Sequence, residues 1–139
     1  MNYILDTNVI SELVKPSPNQ NLIKWISVID QGSLYISAIS IGEIKSGIIK
    51  LRVSNAKKAN ELDSWVNELL QVYTKRILEI NVDTCLIWAE LMNITKNHPI
   101  DALISAQAIN LNYCVATRNI ADFEHFKCRL INPFEKRNS

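Results

Sequence analysis

The stretch Tyr3-Ile4-Leu5-Asp6-Thr7-Asn8 decides how the chain is read: a three-residue apolar run, then a carboxylate, then two small polar residues. A short continuous apolar run fits a strand buried on both faces, as in a parallel sheet. An acid directly after such a strand stands at its carboxyl end, where open α/β sheets keep their ligands. Outward from there the pattern repeats. Apolar positions at 9–14 predict a helix that stops before Pro16, and 21–29 carries a second helical period. Residues 34–36 form a second strand, and 39–51 and 55–72 two more helices. Residues 77–80 form a third strand, and 83–95 a helix with Asp83 near its start. Pro99 sits at a favoured first-turn position of a helix running to 111. A fourth strand follows at 113–116. A short helix at 123–126, capped by Asp122, and an edge strand at 130–131 complete the pattern. Strands alternating with helices predict an α/β fold with a mainly parallel central sheet flanked by helices.

The 139 residues fit one domain, 1–139, large enough for a core without staples. A composition of 47% hydrophobic and 21% charged residues argues against disorder and coiled coil. The polar stretch 53–60 reads as a turn into a helix, not as a domain boundary. Three cysteines, Cys85, Cys114 and Cys128, show no C-x-x-C spacing, which argues against a disulfide framework or a structural zinc site. Cys85 and Cys114 lie in apolar stretches and are expected to pack as small hydrophobes. No basic-then-apolar leader opens the chain, and no apolar run approaches the roughly 20 residues of a membrane span. The expected location is the cytoplasm. A net charge of +1 gives no overt signal for nucleic-acid binding, although carboxylates gathered round a cation would leave the remaining surface more basic than the formal count.

Among fourteen acidic residues, four fall where one crevice can collect them. Asp6 follows the first strand and Asp122 the fourth. Asp101 is on the first turn of the helix leading into that fourth strand, and Glu43 is on the helix after the second. Singly, Asp6, Asp101 and Asp122 are each explained by capping or by the helix dipole. Glu43 resists that explanation: it lies in a largely apolar helix, with Ser40, Ser46 and Gly47 at helical offsets leaving room for it to reach inward, the alternative being a solvated Glu on an exposed stripe. Carboxylates brought together repel, and a proton or a cation relieves the cost. Hard oxygen donors suit Mg²⁺ or Mn²⁺. In a phosphodiester hydrolase such a metal polarises a phosphoryl oxygen and lowers the pKa of a bound water, so that no histidine base or covalent nucleophile is required. Glu12 lies a turn or more beyond Asp6, and whether it joins the acids is open.

The segments ILDTNVISEL (4–13), SAISIGEIKSGI (37–48), PIDALISAQAI (99–109) and VATRNIADFE (115–124), with the tail INPFE (131–135), together resemble the PIN-domain family, most closely its VapC and FitB-like toxin branch. The resemblance spans the chain nearly end to end. It implies a Rossmann-like sheet and a metal held by Asp6, Glu43, Asp101 and Asp122, which are also the catalytic residues. It also implies supporting roles for Asn8, Thr117 and Asn119, which would orient ligands or water. The implied activity is Mg²⁺- or Mn²⁺-dependent endonucleolytic cleavage of RNA, often tRNA, by a dimeric toxin of a type II toxin–antitoxin system, silenced by a cognate VapB-like antitoxin. One departure is visible: the segment ITKNHPID before Asp101 is shorter than is usual in the branch.

Arg118 and Lys45 are candidates for touching substrate phosphates. The run Lys45, Lys50, Arg52, Lys57 and Lys58 is either a basic flank for RNA or an ordinary solvated face. Trp25, Trp65 and Trp88 fall at helical apolar positions and are read as packing residues. His98 and His125 match no metalloprotease spacing and receive no catalytic role. Phosphatases of the haloacid dehalogenase type need a second Asp where Asn8 stands, receiver domains need paired acids that are missing, and no glycine-rich phosphate loop exists. Two alternatives stay open: a non-catalytic PIN-like regulatory module and a metal-dependent DNA nuclease.

Overall fold

The computed structural model describes residues 1–136. Its centre is a sheet of five strands: β1 (Tyr3–Leu5), β2 (Leu34–Ser37), β3 (Ile77–Leu78), β4 (Cys114–Ala116) and β5 (Arg129–Ile131). Their order is β3-β2-β1-β4-β5 and every pairing is parallel. Among the described residues, seven α-helices surround the sheet: α1 (Thr7–Leu13), α2 (Gln20–Val28), α3 (Ala38–Arg52), α4 (Ala56–Val72), α5 (Val82–Leu91), α6 (Pro99–Leu111) and α7 (Ile120–Phe123).

The period-2 alternation of the strands sorts side chains between two layers. Leu5, Leu34, Ile36 and Ala116 face a core that also holds Val9, Ile10, Leu22, Ile44 and Ile48. Ile4 and Val115 point the other way, against Ile104, Ala108 and Phe123. The sheet is therefore buried on both faces, which explains why its strands read as uninterrupted apolar runs. Trp25 packs edge-on against Tyr3, ring centroids 5.0 Å apart, and is buried in the first core. Trp65 packs on the same core, and Trp88 lies against Leu91, Ala102, Ala106 and Phe126.

Local chemistry fixes the helix ends. Asn19, Ser37, Asn55 and Asn81 cap α2, α3, α4 and α5 with side-chain oxygens that accept first-turn N–H groups. Asn112 ends α6 in the left-handed region at φ 58°, a conformation that asparagine tolerates. That reversal leads straight into β4.

Four expectations are corrected. The third strand ends at Leu78 and α5 at Leu91, so 92–98 forms a connection, not helix. Asp122 does not cap a helix over 123–126. Asn119 is the N-cap residue, Asp122 lies within α7, and a 3-10 turn follows at Glu124–Phe126. Cys85 is exposed, whereas Cys114 is buried. Helix α5 is apolar on more than one face, with Val82 and Leu86 exposed alongside Cys85, so periodicity alone does not pick its inner side. No described helix is long and apolar enough to cross a membrane.

Candidate metal centre

Strand order reverses between β1 and β4: the chain runs from β1 to one side and returns to β4 on the other. At such a switch point the loops leaving the two strands part and open a crevice. Asp6 stands at the end of β1, with its backbone N–H donating to Ala116 at the end of β4 (2.9 Å). Its carboxylate is buried, 5% exposed. Oδ1 accepts from the backbone N–H of Thr7 at 2.8 Å and Oδ2 from the hydroxyl of fully buried Thr117 at 2.8 Å. Asp6 is thus the N-cap of α1, as the capping explanation has it, but capping occupies only one of its oxygens.

The other acids reach the crevice from three helices. Glu43 lies on α3, and its Oε1 accepts from the Thr7 hydroxyl at 2.6 Å. That hydroxyl also shares a hydrogen bond with buried Ser40 at 2.9 Å. Thr7 thereby links the neighbour of Asp6 to Glu43 and ties α1 to α3. Ser46 and Gly47 line an open groove with Gly42, Ile39, Lys50 and Ile100 beside Glu43. Asp101 sits on the first turn of α6 and Asp122 on that of α7, both partly buried.

Their electrostatics show that the four acids share one region. Burial, opposed by the bonds from Thr117 and Thr7, and aggravated by Glu43, raises the Asp6 carboxyl above its ordinary value. Asp101 is pushed up to about 6, chiefly by burial, then by Asp6, with Asp122 and Glu43 adding to the rise and His98 opposing it. Crowded negative charge of this kind is what a divalent cation neutralises, and the oxygen donors suit a hard ion. The donor set therefore fits the metal that the sequence resemblance implies.

Sequence reasoning missed His98. Its Nδ1 is 3.4 Å from Asp101 Oδ2 and its Nε2 is 3.8 Å from Asp122 Oδ1. One ligand atom from each of His98, Asp101 and Asp122 lies within 4.8 Å of the other two. The available signal was the i, i+3 spacing of His98 and Asp101 about a helix start. His125, ring to ring 6.4 Å from His98, is outside that group.

Among the supporting residues, Thr117 accepts the backbone N–H of Asn119 at 3.0 Å while donating to Asp6. Asn119 in turn accepts the N–H of Asp122 at 3.0 Å. One short chain of hydrogen bonds therefore runs from Asp6 to Asp122. Asn8 Oδ1 accepts from the Arg118 N–H at 3.4 Å, and the Asn8 side chain helps hold the Asp6 carboxyl down. The Arg118 guanidinium lies 4.2 Å above the Phe134 ring, in the tail segment. Lys45 and Arg52 both engage Asp63 of α4. Glu12 is buried with both oxygens occupied, one by Lys15 Nζ (2.9 Å) and one by the Asn19 N–H (3.0 Å). The Lys15 ammonium foremost keeps its carboxyl below the usual range. Glu12 fastens the α1–α2 turn.

A family model described as the PIN domain matches residues 3–127. Toxin FitB of Neisseria gonorrhoeae is 31% identical over 137 residues, covering 94% of this chain and 97% of that protein. The VapC ribonuclease Y4jK of Sinorhizobium fredii is 32% identical over 139 residues, covering 95% and 97%. Among solved structures, FitAcB from Neisseria gonorrhoeae superposes with a TM-score of 0.87 at 30% identity, covering 96% of this chain and 99% of that one. FitAB bound to a DNA fragment gives the same TM-score and identity, with 98% of each chain covered.

Proposed function

This chain belongs to the PIN-domain family, and from that membership we propose that it is a divalent-metal-dependent endoribonuclease, the toxin of a toxin–antitoxin pair. The observation that carries the reading is the convergence of Asp6, Glu43, Asp101 and Asp122 on one crevice, expressed in an Asp101 carboxyl pushed up to about 6. These four side chains would hold Mg²⁺ or Mn²⁺. The ion, when bound, supplies Lewis-acid polarisation of a phosphoryl oxygen and eases loss of a proton from the attacking water.

The rest is the work of this chain's own residues. Thr117 fixes Oδ2 of Asp6, and Thr7 fixes Glu43, so both carboxylates are held in one orientation before any ligand arrives. Asn119 carries that order on to Asp122 through its backbone, and the Asn8 side chain also supports the Asp6 carboxylate. Lys50 lines the groove that leads away from Glu43 and is the cation we place against the RNA backbone. Lys45 is less available for that role because Asp63 holds it, and Arg118 is shared with Phe134.

The relatives support an RNA target and a cognate VapB-like antitoxin as partner: one is named a VapC ribonuclease, another Toxin FitB, and the similar solved structures include FitAcB; a tRNA-like target is what the sequence resemblance implies. A homodimer fits the exposed Val82, Leu86, Ile94 and Ile109 of α5, α6 and their connection. A second reading, action with the antitoxin on DNA, draws on the FitAB complex bound to a DNA fragment. The two roles are compatible.

Cleavage of total tRNA by purified protein, with Mg²⁺ or Mn²⁺ against EDTA and beside identically purified Asp6→Asn, tests the proposal. Discrete metal-dependent cuts absent from the variant are expected. Cuts that survive in Asp6→Asn would remove the site assignment. Failure of both proteins to cut tRNA, or any RNA in cells after induction, would leave the regulatory reading.

A further inference from the structure

The connection 92–98 does more than join α5 to α6. It ends in His98, which adopts φ 60° and ψ 53°, the left-handed region, immediately before Pro99. Residues other than glycine and asparagine rarely adopt this conformation, and a following proline restricts the backbone further. The side chain is not spent on capping: His98 occupies the N-cap position of α6 without making a side-chain cap bond. Pro99 has no N–H that needs one. The segment is pinned from behind by Trp88, whose indole N–H donates to the Pro99 carbonyl at 3.0 Å. The ring instead faces two acids, one nitrogen towards Asp101 and the other towards Asp122.

Given the metal-dependent reading above, on which this rests, we propose that a ring nitrogen of His98 is a direct ligand of the bound cation together with Asp101 and Asp122, tilting the centre from Mg²⁺ towards Mn²⁺ and the first-row ions after it. Ligands at about 2.1 Å from one ion stand about 3 Å apart when adjacent and about 4.2 Å apart when opposite. The three candidate atoms, mutually within 4.8 Å, need only small rotations to meet those separations. The selectivity follows from ligand chemistry. Mg²⁺ keeps oxygen donors and waters and gains least from a nitrogen, whereas affinity for a site with a nitrogen donor rises along the first-row ions from Mn²⁺ onward. At 43% side-chain exposure, the ring is also open to an ion arriving from solvent.

Pulsed electron paramagnetic resonance on the Mn²⁺-loaded full chain reads a directly bound nitrogen as a ¹⁴N modulation, independently of any cleavage. We expect that modulation in the native protein and its loss in His98→Asn and His98→Gly, both of which tolerate the left-handed backbone. Calorimetry on the same proteins should show Mn²⁺ affinity falling at least about tenfold, Mg²⁺ affinity changing far less, and the Mn²⁺/Mg²⁺ preference shrinking. Bound Mn²⁺ with no ¹⁴N modulation in the native protein, or modulation that persists in both variants, overturns the ligand and leaves the nuclease reading standing. Absence of any Mn²⁺ binding would instead overturn both.

Discussion

Thr117 and Asp6 meet where β4 and β1 part. The Thr117 hydroxyl, fully buried, donates to Asp6 Oδ2 at 2.8 Å, and 111 positions of sequence separate the two residues. This bond opposes the effect of burial on Asp6. Thr117→Val keeps the shape and removes the donor. It is expected to cost about 1–3 kcal/mol, because a buried acceptor loses its partner. It also lets the Asp6 carboxyl rise further, so a proton competes better with the cation. Mn²⁺ affinity measured by calorimetry should fall about tenfold near pH 6 and recover part of that loss at pH 8. A loss identical at both pH values would show that the hydroxyl acts by position alone.

Phe134 anchors the tail. It is 8% exposed, packs on the first core, accepts Asn21 through its carbonyl at 2.9 Å and carries the Arg118 guanidinium on its ring. Phe134→Ala should cost about 3 kcal/mol, or roughly 10 °C of thermal midpoint for a chain of this size. Arg118 should become mobile while Mn²⁺ affinity is kept, since none of the four acids touches that ring. Calorimetric scanning and a metal titration on the same sample check both halves.

The sheet was legible because a parallel strand buried on both faces leaves a continuous apolar run, and Tyr3–Leu5 and Cys114–Ala116 show such runs. The acids were legible because Asp6 and Asp122 follow those strands. What escaped depends on tertiary context. His98 reaches the acids only through a left-handed backbone that nothing local demands. Lys45 and Arg52 look like a free basic flank until α4 brings Asp63 between them. Glu12 resembles one more acid for the crevice until Lys15 and the N–H of Asn19 take its two oxygens. A start for α7 at Asn119 is hidden because its side chain makes no capping bond.

The two lysines of α3 separate by experiment. Lys50 lines the groove beside Glu43, whereas Lys45 is turned to Asp63. Lys50→Gln should raise KM for RNA by about tenfold and reduce the salt dependence of binding by about one unit of slope, as loss of a single phosphate contact does. Lys45→Gln should leave both nearly unchanged. Cleavage rates between 50 and 200 mM salt, on the order used to read such slopes, distinguish them. Equal effects would mean that the RNA lies across the α3–α4 face and not along the groove.

Asp101 turns the crowding of the site into a dependence of stability on pH. Its folded value of about 6 stands above the ordinary 3.8, so between these values the folded chain holds a proton that the unfolded chain has released. Stability therefore falls as pH rises through that window. With the side chain 23% exposed, solvent screening reduces the effect to about 2 kcal/mol. In EDTA, Asp101→Asn should be more stable than the native protein at pH 7.5 and nearly equal to it at pH 4, because the amide never ionises. A divalent cation offsets the trend. It binds the ionised carboxylate, so its stabilisation grows as pH climbs towards 6, reaching about 2.7 kcal/mol at a hundred times its Kd. The native protein with Mn²⁺ should thus keep most of the stability that the metal-free protein loses over that window, and Asp101→Asn should respond little to the ion. Thermal scans from pH 4 to 8 with and without Mn²⁺ decide the matter. A stability difference between the two proteins that does not move with pH would mean that Asp101 is not the group whose charge the site must neutralise.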